Sequence, residues 1–124
     1  MAEPAILSQP VVGDDVARVN AELTDAFAAI REAVAAGRPV AVLLRDGDLL
    51  GQGDIADAAL AGGLLGLVRA FALEGAKPGW RVNAVTHRGD EDAARAAAAA
   101  LDGIAGLSGQ LIRLGTAHLG KLTP

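Results

Sequence analysis

Pro39-Val40-Ala41-Val42-Leu43-Leu44 decides the fold. Six residues without a polar side chain lie between Gly37 and the turn-forming Arg45-Asp46-Gly47-Asp48. A short apolar run bounded this way predicts a strand covered on both faces, and strands of that kind belong to parallel sheets. On its N-terminal side, from Val16, apolar residues recur at Val19, Leu23, Ala26, Phe27, Ile30 and Val34. That three-and-four spacing predicts an amphipathic helix, closed by Gly37 as its C-cap. On the C-terminal side a second helix is predicted from about Ile55 to Glu74, with Asp54 as N-cap and Gly75 just past its end. Trp80 to Val85 reads as a strand. Asp90-Glu91-Asp92 opens an alanine-rich helix to Leu101, because acids suit a helix N-terminus and alanine is the best helix former. Gly109 to Leu114 reads as a last strand, and Ala5-Ile6-Leu7 as the first. Strictly alternating strands and helices with right-handed crossovers predict an α/β, half-Rossmann architecture: about four parallel strands flanked by helices, one domain over residues 1–124.

Composition narrows the function classes. Hydrophobic residues make up 52% and charged residues 21%, the balance of a folded globule. Aromatics are only 2%, so the core must be aliphatic, and the high apolar content points to surface that a partner covers. A net charge of -4 without a Lys/Arg cluster opposes nucleic-acid binding. No cysteine is present, which removes disulfides and thiolate metal sites and suits a reducing cytoplasm. Met1-Ala2-Glu3-Pro4 lacks the basic and apolar regions of a secretory signal, and the apolar run Ala58 to Val68 is stopped by Arg69, so no membrane association is expected.

Two stretches carry a resemblance. Leu64-Leu65-Gly66-Leu67-Val68-Arg69-Ala70-Phe71-Ala72-Leu73-Glu74, followed by Pro78-Gly79-Trp80-Arg81-Val82-Asn83-Ala84-Val85, is similar to the segment of short-chain dehydrogenases/reductases that follows their catalytic Tyr and Lys. Ser108-Gly109-Gln110-Leu111-Ile112 resembles the family's last strand, and Val19-Asn20 with Phe27 resembles, loosely, an earlier helix. The resemblance implies the C-terminal half of that fold, strands four to seven of a sheet ordered 3-2-1-4-5-6-7. By the family spacing the Lys position falls on Ala61, the Tyr position on Asp57 and the Ser position on Leu44, and none of these can replace its counterpart. The Pro-Gly that follows Asn-Ala-Val-x in the family is here His87-Arg88. No tyrosine occurs anywhere, and the glycine-rich turn that grips a dinucleotide is missing. The resemblance therefore implies no catalytic, cofactor or metal residues in this chain, with NAD(P) supplied by a partner subunit.

The remaining motifs are weaker. On a helical wheel Leu60, Leu64, Leu65, Leu67, Val68 and Phe71 share one face of the Ile55 to Glu74 helix, while Ala59, Gly62, Gly63, Gly66 and Ala70 lie opposite. This small-residue strip is expected to form an interface, since the resembled family assembles through this helix and the one before it. Asp46, Asp48, Gly51, Gln52, Asp54 and Asp57 fit a calcium loop poorly: Leu50 occupies a ligand position and a strand precedes the loop. Gly47, Gly51 and Gly53 lack the lysine of a phosphate loop. Asp57 and His87 are expected at the carboxyl end of the sheet, where open α/β folds bind ligands. The expectation is a non-catalytic, oligomer-forming subunit that assists a complete short-chain reductase in the cytoplasm. The alternatives are a small isomerase or cyclase that reuses Asp57 and His87, and a homo-oligomeric scaffold.

Overall fold

The structure is a computed structural model and describes residues 3–114. Strand β1 (Ala5–Ser8) leads to helix α1 (Val16–Ala35), then β2 (Val40–Arg45), the short α2 (Asp46–Leu49) and α3 (Ile55–Glu74). Strand β3 (Val82–His87), α4 (Glu91–Leu101) and β4 (Leu111–Arg113) complete the order. The four strands form one parallel sheet in the order β1-β2-β3-β4. This is the half-Rossmann arrangement expected from the alternation of strands and helices.

The deciding run is the longest-paired strand. Val40 to Arg45 lies in register with Val82 to His87 on one side, and Val40 to Leu43 with Ala5 to Ser8 on the other. Every residue from Val40 to Leu44 is buried, alternately toward the two faces of the sheet. Val40, Val42 and Leu44 join α1 and α3 in the larger core, whereas Ala41 and Leu43 join Val85 of β3 and Ala94 and Ala98 of α4 beneath the sheet. The lower layer is thin because α4 offers the sheet mainly alanines.

Helix α3 supplies most of the upper core through Leu60, Leu64, Leu65, Val68 and Phe71, all buried. Full burial of such a side chain contributes about 1.5–3 kcal/mol relative to exposure. By length and composition α3 could also cross a membrane, but this face is packed on the sheet. Gly63 departs from the small-residue strip: a Cβ there would stand 2.8 Å from both Leu23 methyl carbons. It marks the close crossing of α1 over α3, so intramolecular packing takes this member of the strip. At Gly75 a Cβ would meet the Trp80 side chain at 2.5 Å, which makes glycine the residue that lets the chain turn back toward β3.

Several local expectations are corrected. Val16 and Phe27, counted with the apolar face of α1, are exposed. Asp54 sits at the N-cap of α3 without bonding a backbone N–H through its side chain, whereas Asp90 caps α4 by accepting from Ala93 N at 3.0 Å. The turn expected at Asp46-Gly47-Asp48 is the one-turn helix α2. His118 lies outside the described residues.

Candidate functional site

In a parallel α/β sheet the ligand crevice opens at the carboxyl ends of the strands. Gln9, Arg45, His87 and Arg113 project from those ends, joined by Asp46 and Asp48 of α2 and Asp57 from the first turn of α3. Asp46 is at the centre and almost fully buried. Its Oδ1 accepts from Arg113 Nε at 2.8 Å, and its Oδ2 accepts from Arg113 Nη2 and from Arg88 Nε, the latter at 3.1 Å. The carboxylate thus ties β2 to β3 and β4.

A second cluster joins β1 to β2 and α3. Arg45 donates to Asp48 Oδ2 at 2.6 Å, to Asp57 Oδ1 at 3.0 Å and to the carbonyls of Gln9 and Pro10 at 3.0 Å each. Asp57 Oδ1 also accepts from Val12 N at 2.8 Å. Gln9 completes the ring, donating to Asp48 Oδ2 and to the Asp57 carbonyl while accepting from Arg45 N. Across the two clusters together, three carboxylates are matched by three guanidinium groups, so the carboxyl end is close to neutral within itself.

Burial pushes the Asp46 carboxyl up, but the hydrogen bonds from Arg113 and the charges of Arg113 and Arg88 outweigh it. The result lies below the ordinary aspartate value of 3.8. A carboxylate kept as an anion by two arginines is a weaker proton acceptor than a free one. His87 is buried, and its Nδ1 accepts from Gly89 N at 3.2 Å. Asp57 and His87 thus both reach the carboxyl end; Asp57 is taken up by Arg45 and Val12, whereas His87 is engaged through Nδ1 by the backbone of Gly89. Leu44 and Ala61, at the positions the family resemblance assigns to Ser and Lys, are wholly buried in the core.

A different surface is open. The chain's only aromatic residues, Phe27, Phe71 and Trp80, gather at the outer side of α1 and α3. The Phe27 and Phe71 ring centres are 5.3 Å apart, and those of Phe71 and Trp80 are 6.3 Å apart. With Leu67 and Ala70 they line a groove of about 390 Å³, flanked by Arg31 and Glu74. The Arg31 guanidinium lies 5.4 Å from the Phe27 ring centre. Ala70 joins this groove to the exposed Ala59, Gly62 and Gly66, and a Cβ added at Gly62 or Gly66 would meet nothing within 4 Å. Sequence reasoning found the strip but missed the groove, although the concentration of scarce aromatics on two adjacent helices was a readable signal.

The described residues form an open, parallel α/β fold. A solved structure described as a short chain dehydrogenase from Mycobacterium smegmatis is similar, with a TM-score of 0.60 and 20% identity over 92% of this chain. This chain spans 60% of the length of that neighbour. No family model and no curated protein matches the sequence.

Proposed function

We propose that this chain is a non-catalytic, cytoplasmic assembly subunit that docks onto a complete short-chain reductase through the outer face of α1 and α3. The observation that carries this reading is the placement of all three aromatics in one half-open groove continuous with a flat strip. Interface energy concentrates in aromatic and arginine side chains seated in such pockets, and Gly62 and Gly66 let an opposing helix approach closely. The carboxyl-end cluster supports the non-catalytic part, because its carboxylates are consumed by ion pairs that join the strands. The isomerase or cyclase alternative draws no comparable support, since Asp57 already bridges Arg45 and Val12.

Co-purification with the reductases of the same host is expected to recover a hetero-oligomer. Phe27→Ala and Gly66→Leu should each weaken it, Phe27→Ala by about thirtyfold if the ring is an interface anchor. Circular dichroism and melting of the isolated chain should barely change, because Phe27 is part-exposed and Gly66 faces open space. Recovery of no reductase, or complexes indifferent to both substitutions, would sink the proposal.

The residues of this chain do not fit a nicotinamide nucleotide bound by it alone. Leu44 and Ala61 offer no polar group, and Asp57 would set a carboxylate against phosphate while its Oδ1 is already bonded to Arg45 and Val12. Titration calorimetry of the isolated chain with NADH and NADPH is expected to show no binding at tens of micromolar. A dissociation constant in the low micromolar range, worth about 8 kcal/mol, would instead place a nucleotide site on this chain.

A further inference from the structure

Strand β1 forms one edge of the sheet, and among the described residues no strand pairs with its outer side. Ala5 N and Gln9 N donate to β2, to Pro39 O and Leu43 O. By the two-residue period of a strand, the residues whose backbone groups face outward are therefore Pro4, Ile6, Ser8 and Pro10. Two of these are prolines with no N–H to donate, which leaves Ile6 and Ser8 as the open donors. Natural edges are commonly blunted by shortness, proline, lysine, an inward-pointing charge or a bulge. Ala5-Ile6-Leu7-Ser8 carries no charge and no bulge, and its shortness and flanking prolines confine pairing to this one segment.

Beside the edge a groove runs between β1 and α1. Its two parts, of about 260 and 290 Å³, meet at Leu7 and Ala29, and the first reaches down to the core residues Val42 and Leu64. Charge differs between its ends. Glu22 and Asp25 stand beside Ser8 and Pro10, whereas Arg38, with Glu32 near it, stands beside Ala5.

We propose that the β1 edge is occupied by β1 of a second copy of this chain, antiparallel about a two-fold axis through Leu7. In that register Ile6 lies opposite Ser8 of the second copy and exchanges both backbone hydrogen bonds with it, as does the symmetric pair. Pro4 then lies opposite Pro10, so the residues without donors face each other and no N–H is lost. Leu7 meets its own equivalent in a non-bonded pair on the α1 side, filling the shared middle of the groove. The same rotation brings the Arg38 end of one copy to the Glu22 and Asp25 end of the other. This match of donors, prolines and charges to themselves is what an isologous contact requires. The contact is separate from the α1–α3 face and does not depend on the reductase-docking reading.

The absence of cysteine gives a direct test. Directly opposed residues of a non-hydrogen-bonded antiparallel pair have Cα atoms about 4.5 Å apart, within the range a disulfide spans. Leu7→Cys should therefore cross-link rapidly to its own copy under mild oxidation. Val11→Cys, on an exposed residue outside the paired segment, should cross-link only at the rate of random collision. Sedimentation of the unsubstituted chain at tens of micromolar should show a dimer. Ser8→Pro should weaken it about tenfold, since one outward donor is lost from each copy, without disturbing the bonds of Ala5 and Gln9 to β2. The proposal is overturned if the chain is monomeric, or if Leu7→Cys reacts no faster than Val11→Cys. It is equally overturned if a dimer survives Ser8→Pro but separates on Phe27→Ala, which would assign self-association to the α1–α3 face. Loss of only a hetero-complex on Ser8→Pro would mean that the edge takes a foreign strand.

Discussion

Asp46→Ala is expected to destabilise the isolated chain by about 3 kcal/mol, at the lower end of the range for breaking a buried ion pair. Asp46 is 1% exposed, and its removal strands the guanidinium groups of Arg88 and Arg113, which retain partial access to water. That access keeps the loss from being larger. Chemical denaturation should show the full effect, and the melting temperature should fall by on the order of 10 °C. The pH dependence has a definite sign. Because Asp46 titrates below its ordinary value in the folded chain, its stabilisation is complete above about pH 4 and is lost as the pH falls through the lower folded value. Denaturation midpoints of the unsubstituted chain and of Asp46→Asn should therefore converge in acid. If they stay parallel down to about pH 2, the carboxylate is not held as an anion by these arginines.

Leu44→Ser is expected to do still more damage, about 4 kcal/mol, while creating no activity. The family resemblance assigns a substrate-orienting serine to this position, so the substitution restores a residue type that the chemistry would need. Leu44 is wholly buried among the residues that pack α3 onto the sheet. Shortening a buried leucine costs about 2–5 kcal/mol, and a hydroxyl without a partner in that place adds about 1–3 kcal/mol. The smaller parts of these ranges apply where neighbours collapse into the space, and the aliphatic side chains around Leu44 allow some of that. Equilibrium denaturation checks the value. A variant of native stability would show that Leu44 borders accessible space rather than core.

Both results follow from features of unequal visibility in the sequence. The central strands were legible because almost every residue of Val40 to Leu44 and Val82 to Val85 is apolar or β-branched, whatever surrounds it. The face of α1 was legible in direction but not in width. Its period includes Val16 and Phe27, yet Val16 stands exposed at the helix start and Phe27 turns outward against Phe71 rather than onto the sheet. The one-turn helix at Asp46–Leu49 is too short to show a period and contains a glycine, so only tertiary contacts reveal it. Those contacts are also why the carboxyl-end cluster was half seen. Asp57 and His87 were placed at the correct end from strand order, but Arg113 meets Asp46 across 67 residues of chain, and no local pattern encodes that meeting. Gly63 teaches the same lesson on a smaller scale. Gly62, Gly63 and Gly66 are equivalent as letters, and only the line along which Leu23 crosses α3 selects one of them for packing.

The gathering of the aromatics has a spectroscopic consequence. With one tryptophan and no tyrosine, near-ultraviolet emission from this protein comes from a single indole, that of Trp80, half-shielded beside Phe71 at the mouth of the groove. Its colour reports the wetness of that mouth rather than the state of the core. A helix laid across the groove would shift the emission to the blue, whereas joining two sheets along the far edge would leave it unmoved. An unlabelled sample in a cuvette can thus distinguish which of its two surfaces has been covered.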